Sequence, residues 1–314
     1  MSHWVVKPLG DVLTLQRGFD ITKKEQRPGQ VPVVSSSGIS SFHDQARAPG
    51  PGVVVGRKGS LGTTFYMRES FWPHDTTLWV KDFKGSDPYY CYSLLQSLGL
   101  RSLDVGSSNP TLNRNHVHLI QVRMVPDLRL QQRITAVLSA FDKLIEINHR
   151  RIELLEDLAR SLYREWFVQF RFPGHQDSAF IETSLGTIPK GWSVRTLGAS
   201  AKWLSGGTPS TTEPSYWNGD IPWITSGSLT SVLLDSSDRQ LTESGAQNGT
   251  RLVDKDALLF VVRGMSLVRE FRVGIAERRL AFGQDVKGLV AHEDIEPLFL
   301  AFAVLHRQDE IQSM

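Results

Sequence analysis

Between Leu128 and Phe170 apolar residues return at every seventh position. Ile134, Phe141, Leu155 and Leu162 fall on one line. Leu138, Ile145, Ile152, Ala159 and Trp166 fall on the line four residues later, and Val137, Leu144 and Leu158 widen the stripe. This pattern predicts a long helix with a coiled-coil seam. The 43 residues of the stretch would reach about 65 Å at about 1.5 Å per residue. Pro126-Asp127 supplies a start and Arg171-Phe172-Pro173-Gly174 a stop. The first line meets Asn148 at its centre. On a seam an Asn either fixes register and partner, or sits solvated where the seam opens. Glu296–Gln312, the other long helical stretch, is much shorter. The helix is therefore expected to find its partner on another chain, or in sequence that this chain lacks.

On either side of this helix the period shortens. Val53–Gly56 and Thr77–Val80 read as strands before it, and Leu258–Val262 and Val273–Ala276 after it. A short helix follows each set, over Pro88–Gln96 and over Glu296–Leu305. Loops rich in Gly, Ser and Pro join them, at Val34–Gly38, Ser107–Thr111 and Ser205–Ser210. The expected fold class is mixed α/β, of the α+β kind: two similar globular modules separated by a long coiled-coil helix. The boundaries expected are a first module over 1–126, the helix over 127–171, a linker over 172–190 and a second module over 191–314.

The two modules are similar because the chain repeats itself. Trp4-Val5-Val6-Lys7-Pro8-Leu9-Gly10 returns as Trp192-Ser193-Val194-Arg195-Thr196-Leu197-Gly198. Val55-Gly56-Arg57-Lys58-Gly59-Ser60-Leu61 is echoed by Val262-Arg263-Gly264-Met265-Ser266-Leu267, and His74-Asp75-Thr76 by Gln284-Asp285-Val286. Two like modules held apart by a rod suit a protein that touches two places on one extended partner. With Pro88 set on Pro297, the second copy runs to Met314 opposite Val105. Residues Gly106–Phe170 have no counterpart, so the second module is expected to be incomplete at its C-terminal side.

Charge changes the picture modestly. Residues 1–126 hold 14 Lys and Arg against 9 Asp and Glu, a net of +5, whereas 172–314 hold 13 against 17, a net of −4. The helical stretch 127–171 is nearly balanced, with 8 against 7, which suits packing on another helix better than reading DNA. A positive first module is compatible with a polyanion, and an acidic second module must rely on local patches. No apolar run approaches the roughly 20 residues of a membrane span, and Met1-Ser2-His3-Trp4 lacks the start of a signal peptide. Cys91, the single cysteine, sits in an apolar run and reads as a buried, inert thiol. A reducing, cytoplasmic setting fits these features.

The sharpest local element is Gly56-Arg57-Lys58-Gly59-Ser60-Leu61-Gly62. Its glycines either bring backbone N–H groups to an anion, with Arg57 and Lys58 adding charge, or close a tight turn between strands. It is not a phosphate-binding loop of the Gly-x-x-x-x-Gly-Lys-Ser/Thr kind. Its echo at Arg263-Gly264-Met265-Ser266 has Arg269 and Arg272 close by, and clustered arginines can reach phosphates or guanine edges. Trp72, Trp203, Trp217 and Trp223 read as core more readily than as stacking platforms. Asn109-Pro110-Thr111-Leu112 begins like the Asn-Pro-Pro-aromatic motif of amino-methyltransferases but lacks its second proline and its aromatic. His116-Val117-His118, read as strand, would put two imidazoles on one side without a third ligand, so no metal site is expected.

Taken in order, these stretches resemble the specificity subunit of type I restriction–modification systems. The resemblance rests on the Trp4–Gly10 opening, the 56–62 loop, Pro73-His74-Asp75-Thr76-Thr77 and the Gly106–Leu112 loop. It continues through the helix from Leu130-Gln131-Gln132-Arg133-Ile134 to Leu162-Tyr163-Arg164-Glu165-Trp166-Phe167, and through Leu185–Trp192, which reopens the repeat. It implies a non-catalytic subunit whose modules are target recognition domains, each reading one half of a split sequence in double-stranded DNA. Candidate DNA contacts are then Arg57, Lys58, Ser60, Thr76, Ser107 and Asn109 in the first module, and Arg263, Ser266, Arg269 and Arg272 in the second. The helix would dock methyltransferase subunits through Ile134, Leu138, Phe141, Ile145, Asn148, Ile152, Leu155, Leu162 and Trp166. Its length compares with about two turns of B-DNA at roughly 34 Å per turn. S-adenosylmethionine, ATP and Mg would belong to the methyltransferase and restriction–translocase partners, with no cofactor on this chain. The missing helix would mark a truncated or interrupted gene product, or be supplied by a second specificity chain. The competing expectation is a coiled-coil structural adaptor whose modules bind other proteins.

Overall fold

In the computed structural model the described residues are 4–103, 111–268 and 270–313, with 102, 103, 265 and 266 described in backbone only. The chain divides into two compact units, Met1–Arg150 and Arg151–Met314.

The first unit contains β1 (Val5–Pro8), β2 (Thr14–Arg17), β3 (Val31–Ser35), β4 (Gly38–His43), β5 (Gly52–Gly56), β6 (Thr64–Met67), β7 (Trp72–Pro73) and β8 (Thr77–Asp82). These are followed by α1 (Pro88–Ser97), α2 (Arg114–Leu119), β9 (Gln121–Met124) and the start of α3 (Leu128–Tyr163). One sheet has the order β2-β8-β5-β6, a second β4-β3-β7, and β1 pairs with β9. The central strand explains the layering. Val53, Val54 and Val55 are all fully buried, so both faces of β5 are covered, and a strand covered on both faces is a continuous apolar run. Val53 and Val55 face a core shared with Leu15, Leu78, Val80, Cys91 and Leu95. Val54 faces the other way, toward Val34, Phe71 and Trp79. Asp87 caps α1 by accepting from the Tyr90 N–H at 2.8 Å. Burial pushes the Cys91 thiol up to about 12, which fits an inert core cysteine.

The second unit contains β10 (Phe180–Thr183), β11 (Gly186–Pro189), α4 (Leu197–Ser200), β12 (Ala201–Ser205), β13 (Trp217–Ile224), β14 (Leu233–Leu234), β15 (Gln240–Leu241) and α5 (Glu243–Gln247). Then come β16 (Arg251–Val253), β17 (Leu258–Val261), β18 (Val273–Ala276), β19 (Leu280–Phe282), β20 (Val286–Ala291), α6 (Pro297–His306) and α7 (Gln308–Gln312). Its sheets have the orders β12-β20-β17-β18-β14 and β15-β13-β19-β16. The first reproduces β2-β8-β5-β6 with one strand added. The second reproduces β4-β3-β7, down to the parallel pairing of β13 with β19 and of β3 with β7. The repeat read from sequence is therefore a repeat of topology.

Strand pairing corrects the register of that repeat. Val55 pairs with Leu78 and Phe260 with Lys287; Leu15 pairs with Val80 and Trp203 with Leu289. These ladders set Lys58 on Arg263 and Thr76 on Asp285, one residue away from the match of Asp75 with Asp285. Identity drew the sequence match, whereas alternation of faces fixes the ladder.

Three further expectations change. The helix keeps α geometry for 36 residues and then passes into a π turn at Arg164–Val168. Phe170 ends it with a left-handed φ of 54°, so the regular part is about 54 Å long. Asp127 caps its start by accepting from the Leu130 N–H at 2.8 Å. His116 and His118 lie on α2, not on a strand, and His118 Nε2 accepts from the Leu15 N–H at 2.9 Å. Val34–Gly38 is not a loop but a β3–β4 hairpin that turns on two residues, Ser36 and Ser37, with Gly38 at a φ of 112°.

Candidate nucleic-acid interface

The site is built where β5 ends and β8 begins. Gly56 packs so closely that a Cβ would lie 2.1 Å from the Ser60 carbonyl oxygen, and Gly59 and Gly62 take left-handed φ values of 74° and 70°. The loop closes on itself: the Gly62 N–H donates to Gly56 O at 2.9 Å and the Gly56 N–H to Thr63 O at 2.7 Å. The Arg57 and Lys58 N–H groups both donate to Thr76 O, at 2.8 and 3.1 Å. Those amides are engaged within the fold, and the glycines close a tight turn. Gly59 and Ser60 form its exposed tip.

The turn is braced on both sides. Thr63 Oγ1 donates to Ser36 O at 2.5 Å, which ties in the serine hairpin. Thr76 Oγ1 lies 3.0 Å from His74 Nδ1 and accepts from the Ser36 N–H at 3.4 Å. Lys58 forms a β-bridge with Thr111, and the Leu112 N–H donates to Arg57 O at 2.9 Å. Asp75 is the electrostatic centre. Arg17 Nη2 meets its carboxylate at 3.0 Å, His74 Nδ1 lies 3.0 Å from it, and Arg57 Nη1 reaches the Asp75 carbonyl at 3.5 Å. The result is a ridge bearing Arg17, Arg57 and Lys58, with Arg17 also meeting the Asp20 carboxylate at 3.3 Å.

The second unit repeats this construction. The Val262 N–H donates to Asp285 O at 2.9 Å, as Arg57 does to Thr76. Arg263 Nε donates to Asp285 Oδ1 at 2.9 Å and its Nη2 to Gln284 O at 3.3 Å. Arg272 leads into β18, where Nε meets Glu270 at 2.6 Å and Nη1 donates to Ser226 O at 3.0 Å. Both units thus hold a cation at the end of the central strand, beside the loop that enters the neighbouring strand.

The family description "Type I restriction modification DNA specificity domain" matches residues 1–157, half of the chain. The chain belongs to this family. It is 30% identical over 177 residues to the type I restriction enzyme MjaIX specificity subunit of Methanocaldococcus jannaschii, covering 56% of this chain and 40% of that protein. It is 31% identical over 119 residues to a type I restriction enzyme specificity subunit of Escherichia coli, covering 37% of this chain and 30% of that one. The chain thus spans less than half the length of these curated relatives. The crystal structure of a type I restriction–modification S subunit from M. genitalium superposes with a TM-score of 0.60 at 17% identity, over 99% of this chain and 78% of that one. That likeness shows a shared fold, the mixed α/β architecture with a long helix between β-rich parts.

Within this specificity-domain fold, Arg57, Lys58, Ser60 and Thr76 come together in the first unit, with the Thr76 hydroxyl turned into the hairpin rather than outward. Arg263 takes the matching place in the second unit. Arg272 is held by Glu270. Ser107, Asn109 and Arg269 lie outside the described residues, as does the side chain of Ser266. Arg17 escaped the sequence reading. Its signal was Gly18, where a Cβ would lie 2.1 Å from His74 O, so the end of β2 had to abut this loop. Arg239 was missed as well, its guanidinium 3.7 Å from the Trp217 ring centre and 5.1 Å from that of Trp223. Trp72 and Trp223 are core, and Trp217 is half-buried beneath Arg239; Trp203 is 46% exposed, against expectation.

On α3 the first turn is anchored. Gln131, 1% exposed, accepts from the Asp87 N–H at 2.8 Å and donates to Val125 O at 2.7 Å, and Ile134 packs on the adjacent core. Beyond it the seam is bare. Leu138, Phe141, Ile145, Ile152, Leu155 and Leu162 are 39–64% exposed, and Asn148 is exposed among them. Trp166 is half-buried on the π turn. No helix among the described residues is long and apolar enough to cross a membrane.

Proposed function

We propose that this chain is the sequence-reading, non-catalytic component of a type I restriction–modification complex, and that each unit reads one part of a split target in double-stranded DNA. The observation that carries this reading is the duplicated ridge: Lys58 and Arg263 stand at equivalent ends of equivalent central strands. Lys58 and Arg57 suit phosphates, and a guanidinium can also address a guanine edge. Arg17, Ser60, Arg263 and Arg272 extend the candidate contacts. The bare α3 seam would dock methyltransferase subunits, which bring S-adenosylmethionine. A restriction–translocase subunit would add ATP and Mg in a cytoplasmic assembly. A helix from a second specificity chain is a further candidate for the seam.

Selection from a random duplex library, with the chain co-purified on a type I methyltransferase subunit, tests the reading. A split motif enriched only when this chain is present is the expected result. Retention of the methyltransferase with no enriched sequence would overturn it.

A further inference from the structure

An arginine over a tryptophan recurs at one place in both units. The ladders that set Leu15 on Trp203 and Val80 on Leu289 also set Phe19 on Gly207 and Pro73 on Phe282. The hydrogen bonds agree. The Phe19 N–H donates to Pro73 O at 2.8 Å, and the Gly207 N–H to Phe282 O at 3.0 Å. The preceding glycines agree too: a Cβ on Gly18 would lie 2.1 Å from His74 O, and one on Gly206 2.2 Å from Gly283 O. At this shared corner an indole N–H donates to the loop carbonyl. Trp72 Nε1 reaches Phe19 O at 3.3 Å, and Trp223 Nε1 reaches Gly207 O at 3.1 Å.

The two tryptophans are not copies of each other. Trp72 stands on β7 beside Val33, whereas Trp223 stands on β13 beside Ala281. The indole thus comes from opposite strands of the same parallel pair, yet it reaches the equivalent carbonyl. Over each lies an arginine. The Arg47 guanidinium is 5.0 Å from the Trp72 ring centre and 5.6 Å from that of Phe19. That of Arg239 is 3.7 Å from Trp217 and 5.1 Å from Trp223. Backbone bonds tie both residues to the sheet: the Arg47 N–H donates to Phe71 O at 3.0 Å, and Arg239 O accepts from the Trp223 N–H at 2.9 Å. Both arginines are exposed, and among the described residues neither guanidinium meets a carboxylate. The corner adjoins the ridge, since Phe19 bridges to His74, next to Asp75.

A guanidinium held over an indole spends its face on the ring and keeps its N–H edge for another group. Held in this way, it loses less freedom on binding. That edge fits a phosphate through two parallel hydrogen bonds. A device that persists while its tryptophan changes strands serves something that both units meet. Two halves of a split target differ in their bases and share the sugar–phosphate backbone. We propose that Arg47 and Arg239 are phosphate-binding residues, one in each unit, which set the ridge against the duplex and read no base. This rests on the DNA-reading role of the two units.

The test uses Arg47→Ala, Arg239→Ala, the double variant and Arg239→Lys in the full chain, with a random-sequence DNA duplex as probe. Fluorescence anisotropy gives affinity over a range of salt. Each alanine should lower the slope of log affinity against log salt by about one, and the pair by about two. Arg239→Lys keeps the charge and should keep the parent slope. Selection from a random duplex library should return the parent motif in both halves for every variant. The parent slope in the alanine variants would overturn the proposal, as would a changed base preference in either half. If the parent selects a split motif while the alanine variants keep its slope, the stacks are structural and DNA reading stands. If the parent binds no duplex, both fall. Should an alanine variant unfold, Arg47→Gln or Arg239→Gln, which keeps the aliphatic stem on the ring, takes its place with the same expected slope.

Discussion

At the scale of single residues, Lys58 and His118 show how differently two polar side chains of the first unit behave. Lys58 has its backbone fixed by Thr76 and Thr111, and its side chain, half-buried, pairs with no carboxylate among the described residues. Each phosphate contact releases counterions, so Lys58→Ala should lower the slope of log affinity against log salt by about one and weaken DNA binding evenly across sequences. A titration over salt checks this, and an unchanged slope would remove Lys58 from the interface. His118 instead accepts from the Leu15 N–H, and burial lowers its pKa. A histidine whose folded pKa is depressed stabilises the fold fully above its unfolded pKa, about 6.5. That contribution falls away as pH drops from there through the lowered folded value, since the imidazolium cannot accept. Tm should therefore fall between about pH 7 and pH 5, and His118→Gln, whose amide oxygen can still accept, should flatten that fall. The sequence read this histidine as part of a strand and could not show its bond, because its partner is 103 residues away.

At the scale of elements, periodicity was the strongest guide. The heptad stripe gave α3 and the apolar run Val53–Val55 gave β5, because burial on a known face writes a period into the chain. The helix end was not legible: a π turn follows Tyr163 without a proline or glycine to mark it, and Pro173-Gly174 lie beyond. The aromatic contacts of Tyr163 with Phe299, Phe302 and His306 hold that end and join residues far apart in sequence. Two substitutions on α3 should separate packing from docking. Gln131→Ala leaves the Asp87 N–H and Val125 O without partners in a buried site, and should cost about 1–3 kcal/mol in chemical denaturation. Leu155→Asp, at a position 64% exposed, should change stability by no more than about 0.5 kcal/mol. The same change should abolish co-purification of a methyltransferase subunit. Retained co-purification would move docking off this seam.

At the scale of the whole molecule, the repeat has a consequence for specificity. Each unit carries its own core, its own pair of sheets and its own cation at the end of the central strand, so the two sites are built independently. Independent sites with no shared side chain should contribute additively to recognition. Arg263→Ala removes the guanidinium that meets Asp285 and Gln284, and exposes an uncompensated carboxylate in a unit that is already acidic. It should weaken or relax one half of the selected target, by about 1–3 kcal/mol if Arg263 reads a base, and leave the other half as in the parent. Lys58→Ala should lower overall affinity without altering either half. The double variant should show the sum of the two effects. Selection from the same duplex library, run with all four proteins, reads each half separately. If Arg263→Ala altered both halves together, the units would be coupled, and the duplicated ridge would be one composite surface rather than two readers.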